Sequence, residues 1–306
     1  MKTLMGMNRT ETTYPSYRDT IDVHSTRAAT SASKDEAARK VTVRIAHTGE
    51  VIKYLFLSLC FVFVFAAFGQ TDKDNAKTIH VFAALCDNKY QGIVPVPKAI
   101  GNGQDQNSNL YWGALYGIRT YFKKSNEWKL LDTRGKNGII LERLIFKHAA
   151  ANYYLIADAY DGQYIEQCTK DFLSSSSGNQ KDTLMLNGKV LGIGGNASLL
   201  AYIGHNGLMN FELSETYINS DNKKRDVIIL ACYSKHYFRS YLKDANVNPL
   251  LWTTNFMAPE AYTLHDALSG YVSGETNENI REKGAAAYAK YQKCSLNAAK
   301  RLLVTD

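Results

Sequence analysis

Proline is scarce in this chain, five residues in 306, and only 21 glycines accompany it. That excludes a collagen-like protein, and the absence of sustained heptads excludes a long coiled coil. The five cysteines, at 60, 86, 168, 232 and 294, form no CxxC and no metal-ligand spacing, so a disulfide-stapled scaffold and a zinc module are both unsupported. Only one long apolar run exists, which excludes a polytopic membrane protein. No basic block stands out: nine basic and six acidic residues fall in 1–69, and 27 and 23 in 70–306, so a nucleic-acid partner is not expected. Abundant aromatics, with 20 Tyr, 12 Phe and 3 Trp, exclude disorder throughout, and the length suffices for a substantial core.

The one apolar run, Tyr54 to Phe68, is 15 residues without a charge. It is short for a membrane span of roughly 20 residues and suits the apolar core of a signal peptide. Lys53 supplies the preceding charge, and Ala67-Phe68-Gly69 places small residues for cleavage before Gln70. Residues 1–50 have no apolar period and read as a disordered or wrongly assigned N-terminal extension, with translation starting near Val51. The competing reading makes 51–69 a short membrane anchor, with Arg39, Lys40, Arg44 and Lys53 on the cytoplasmic side. Either way residues 70–306 are expected to be exported, periplasmic or extracellular, and to meet a membrane only through an uncleaved 51–69.

From residue 70 onward apolar runs alternate with helical stretches, the pattern of one α/β domain with a mostly parallel central sheet flanked by helices. The strands expected are 79–85, 128–131, 139–141, 198–204, 226–231 and 250–254, with a hairpin turning at Asn187-Gly188. Helices are expected over 110–124, 162–173, 259–269 and 279–303, a surface loop over 174–178, and 152–159 fits either state. Gly101-Asn-Gly103 does not open a helix directly after a strand and makes no dinucleotide fingerprint.

Two continuous apolar strands each end in a chemically capable residue. Ser198 to Gly204 runs into His205-Asn206-Gly207, and Asp226 to Ala231 runs into Cys232-Tyr-Ser234. Ligand groups in open parallel sheets collect at the carboxyl ends of strands. If the strands are neighbours, His205 and Cys232 face one crevice, as a nucleophile beside a base, and a thiolate–imidazolium pair would lower the thiol pKa. Gly207 and Asn206 are the candidates for backbone support, with N–H groups near Gly207 and Cys232 as a possible oxyanion hole. Taken singly, a buried Cys and a strand-end His are more often plain structural residues; His80, His148, His236, His265 and the other cysteines take that reading. No metal and no cofactor are called for, and without a G-x-S-x-G elbow another α/β hydrolase gains little.

Leu200-Ala-Tyr-Ile-Gly-His205-Asn-Gly207 and Ile228-Ile-Leu-Ala-Cys232-Tyr-Ser234 resemble the paired boxes of the caspase-like cysteine peptidases, the group of caspases, metacaspases, legumain and gingipains. The likeness covers about residues 198–270 and extends plausibly back to the strand at 79–85. In this chain Asn206 stands between the His and the Gly, and Lys235 follows Ser234 where Gly is common. The resemblance implies a caspase-like three-layer sandwich and a cysteine endopeptidase in which Cys232 attacks a peptide substrate and His205 is general acid and base. The alternative is a catalytically inactive binding or scaffold domain of the same fold, exported or membrane-anchored.

Overall fold

The computed structural model describes residues 76–306; the expected signal peptide or anchor and the 1–50 extension lie outside the described residues. Among those described, no helix is long and apolar enough to cross a membrane.

The sheet has eight strands in the order β10-β9-β8-β7-β1-β4-β3-β2. Its parallel centre is β1 (Lys77–Ala84), β4 (Tyr153–Tyr160), β7 (Leu199–Gly204), β8 (Arg225–Leu230) and β9 (Val247–Thr253). In chain order these parallel strands lie 2-1-3-4-5, so the direction of winding reverses between β1 and β7. β3 (Ile140–His148) and β2 (Trp128–Arg134) extend one side antiparallel, and the two-residue β10 (Leu303–Val304) closes the other. The residues of β7 are all buried, and β1 and β8 nearly so, because helices cover both faces.

Alternation along the strands divides the core. Val81, Ala83, Ala201, Ile203, Ile228 and Leu230 point to one face, where they pack with α1 (Ile118–Lys123), α4 (Ala261–Val272), α5 (Asn277–Gln292) and α6 (Leu296–Leu302). Phe82, Leu200, Tyr202, Val227 and Ile229 point to the other, against α2 (Ile165–Ser176) and α3 (Ser234–Leu242). Each such side chain taken fully out of water contributes about 1.5–3 kcal/mol before the cost of ordering. The result is a three-layer α/β/α domain. The hairpin β5 (Lys181–Leu186) and β6 (Lys189–Gly194) packs on Ile145, Tyr154 and Ile156, and turns at Asn187 and Gly188, both at positive φ.

Several boundaries differ from the sequence expectation. Only Ile118–Lys123 of the 110–124 stretch is helical, since residues 110–117 form successive turns held by Asn109, whose carbonyl accepts from the N–H groups of Trp112, Gly113 and Ala114. Residues 174–176 of the expected loop at 174–178 are instead the end of α2, followed by a buried turn at 177–178: Ser176 Oγ donates to the Phe172 carbonyl at 2.8 Å, which lets a hydroxyl run continue a helix inside the core. The expected helix 279–303 is two helices, broken where Lys293 adopts a left-handed conformation and Ser295 caps α6. The ambiguous 152–159 is β4, and Pro249 sits in β9 beside a register shift, where a missing N–H is tolerated.

Candidate functional site

β7 and β8 are neighbouring and parallel, as expected, so the residues that follow them emerge side by side. His205 and Cys232 both line one cleft of about 420 Å³, with Ile93, Val94, Val96, Leu110, Tyr111, Phe256, Met257, Ala258, Pro259 and Glu260 completing its wall. The cleft lies at the carboxyl edge of the sheet, beside the reversal of winding.

The turn between β8 and α3 is sharp. Tyr233, directly after Cys232, takes a left-handed conformation at φ 51°, which costs a non-glycine residue about 1–2 kcal/mol. Its N–H donates to the Asn255 carbonyl at 3.0 Å and its ring meets Phe256 edge-on. Ser234 Oγ donates to the Ile229 carbonyl at 2.8 Å and accepts from the Thr253 N–H at 2.8 Å, tying the ends of β8 and β9 together. These contacts hold Cys232 half-buried at the mouth of the cleft.

His205 is oriented by a residue that the sequence alone did not single out. The Gln91 amide nitrogen donates to the Leu85 and Gly162 carbonyls at 2.7 and 2.9 Å, so its oxygen faces the other way. That oxygen accepts from the Asp87 N–H at 3.0 Å and meets His205 Nδ1 at 2.6 Å. Because Gln91 presents an acceptor, Nδ1 must carry the proton, leaving the Nε2 lone pair free. Tyr111 packs edge-on against the imidazole, 5.3 Å between ring centres, and the Tyr202 hydroxyl donates to the His205 carbonyl at 2.8 Å.

Burial pushes the His205 imidazole down to about 4, so it is neutral at pH 7. Burial likewise pushes the Cys232 thiol up, partly offset by its own backbone N–H and that of Met257, which lies 3.4 Å from the sulfur. The thiol donates in turn to the Met257 carbonyl at 3.6 Å. The expected lowering of the thiol pKa by an imidazolium is therefore reversed. The hydrogen bonds of His205 and Cys232 go to Gln91 and Met257, not to each other, and the pair rests as neutral thiol and neutral base.

Asn206 is fully buried and bridges the two boxes. Its Oδ1 accepts from the Leu208 N–H at 3.1 Å, and its Nδ2 donates to the Cys232 carbonyl at 2.7 Å. Gly207 is not in the cleft wall. A side chain there would strike Phe211. The amide directed at the sulfur is that of Met257.

His80, His265, Cys86 and Cys168 sit in structural contacts. His80 bridges the Gly194 N–H and the buried Asp158, and His265 bridges Ser125 and Asp266. Cys86 is buried and its thiol is pushed up to about 11 by desolvation; Cys168 is buried and desolvation raises its thiol as well. Lys235 points to the carboxyl-terminal strand, where it bonds the Thr305 carbonyl at 3.3 Å. Among the described residues no cluster of His, Cys, Asp or Glu has the arrangement of a metal site. Compared with known proteins, the chain matches no protein-family model, no curated protein and no solved structure.

Proposed function

We propose that the cleft is the active site of a cysteine endopeptidase of caspase-like type. The observation that carries this reading is the delivery of His205 and Cys232 from adjacent parallel strands into one apolar cleft, with the imidazole fixed by Gln91 as a base. Nε2 takes the thiol proton as the sulfur attacks the carbonyl carbon of the scissile bond. The tetrahedral intermediate collapses by expelling the amine, which leaves with the proton from the imidazolium, and a thioester remains on Cys232. Water then attacks the thioester, again giving a proton to Nε2, and the acid product and free thiol are regenerated. The Met257 amide, 3.4 Å from the sulfur, is the candidate donor to the developing oxyanion.

Cys232→Ala removes the nucleophile and little volume, so peptide hydrolysis should vanish with the thermal midpoint nearly unchanged. Hydrolysis persisting in that variant overturns the reading. Iodoacetamide should label the half-buried Cys232 ahead of the buried Cys86 and Cys168, and Cys168→Ala should alter neither activity nor labelling.

A second reading is a binding or scaffold domain without turnover. It is favoured by the neutral resting state of both groups and by their bonding to other partners. Export of a mature chain beginning near Gln70 belongs to either reading and rests on Lys53, the 15-residue run and Ala67-Phe68-Gly69. N-terminal sequencing of protein from its own host tests it, and intact residues 1–50 on the mature chain would overturn it.

A further inference from the structure

Glu260 brings a carboxylate into the cleft between Pro259 and the first residue of α4, half-buried among Tyr111, Met257 and Ala258. One of its oxygens, Oε2, accepts from the Tyr262 hydroxyl at 2.8 Å and from the Gln292 amide at 3.2 Å. Both donors are neutral. Each Lys or Arg that forms an ion pair among the described residues does so with another acid, and none pairs with Glu260. Desolvation accordingly pushes its carboxyl above the usual range. An anion kept half out of water without a counter-ion is costly unless a ligand supplies the missing charge.

This carboxylate shares the cleft with the thiol: Cys232, Tyr111 and Glu260 all line it. The Tyr288 hydroxyl accepts from the Ala258 N–H at 3.3 Å, holding the segment between Phe256 and Glu260 against α5. The rest of the wall is apolar, and two of its members, Val94 and Phe256, are more than half exposed at the rim. A group that satisfies all of this has an aliphatic stem and a cationic end, long enough to reach from the sulfur to the carboxylate.

We propose that Glu260 is the base of the primary specificity pocket and that the site takes a substrate with lysine or arginine on the amino side of the scissile bond. This rests on the reading of Cys232 as the nucleophile, and the experiment separates the two.

Blocked tripeptide aminocoumarin amides ending in arginine, lysine or norleucine share one stem and differ in charge at its end. Arginine and lysine should exceed norleucine in kcat/KM by at least about tenfold, the worth of one charge-assisted hydrogen bond. Glu260→Gln should collapse that ratio, and Glu260→Asp should retain a cationic preference. In parallel, agmatine should slow iodoacetamide alkylation of Cys232 in the wild-type protein, read by mass spectrometry, and should lose that effect in Glu260→Gln. Norleucine cleaved as well as arginine, or a preference that survives Glu260→Gln, overturns the specificity assignment and leaves the peptidase reading intact. Agmatine protection through Glu260 without hydrolysis of any peptide upholds the cation subsite and overturns the peptidase reading. Hydrolysis absent and protection absent overturns both.

Discussion

The Asn206 side chain donates a 2.7 Å hydrogen bond to the carbonyl of Cys232, so the residue inserted between His205 and Gly207 is the link between the two strand ends. It is buried completely, and its other amide atom caps the short turn at Gly207–Met209. Asn206→Ala should destabilise the domain by about 1–3 kcal/mol, because it strands a part-buried carbonyl and a turn N–H. A shift below about 0.5 kcal/mol in urea unfolding would show that water replaces the side chain without cost.

The resting thiol is protonated at neutral pH. The iodoacetamide rate at Cys232 should therefore climb through the alkaline range with no plateau at pH 6, since its pKa lies above the ordinary thiol value. A rate independent of pH between 5 and 7 would mean a preformed ion pair, contrary to the hydrogen bonds seen at both groups.

His205 also links stability to pH. Its folded pKa, about 4, is below its ordinary 6.5, so between those values the unfolded chain binds a proton that the folded one does not. Stability is full above pH 6.5 and falls as pH drops toward 4, by about 3 kcal/mol if the whole shift is expressed. Asp158 acts in a lower window. Burial alone would raise its carboxyl, but Arg143 and His80 hold it below its ordinary value, so its contribution is lost only as pH falls below about 4. Urea midpoints across pH 4–7 should slope in the native protein and flatten in His205→Gln. An equal slope in both would assign the effect elsewhere.

Gln91 positions the base without touching substrate. Gln91→Ala should lower kcat by about 10²-fold with a smaller change in KM, because the imidazole loses the acceptor that selects its tautomer. A simple loss of stability would instead lower the fraction of active protein and leave kcat per active site, found by titration of Cys232, unchanged.

The alternation of strands and helices, and the pairing of the strands before His205 and Cys232, were legible because β7 and β8 are uninterrupted apolar runs of the length that a covered parallel strand needs. Gln91 and Glu260 were not legible. Each follows a different strand, β1 or β9, and only the sheet order places those loops beside the His and the Cys. One local signal was present: Ile93-Val-Pro-Val-Pro97 holds two of the five prolines in an apolar loop, which suits an exposed wall rather than core. The helix boundaries failed where side chains replaced backbone rules, as with the Ser176 hydroxyl extending α2 and the left-handed Lys293 ending α5. The sign of the Cys232 shift was also hidden, since residue identity does not reveal how much water the thiol retains.

The sheet order has a consequence for how the chain comes to life on the ribosome. β1 must wait for β7 before Gln91 can meet His205, β8 follows to bring the thiol, and the Phe256–Glu260 wall arrives only after β9 has docked on the far side. A nascent polypeptide thus carries the Cys232 sulfur before the far wall of the cleft around it has been made.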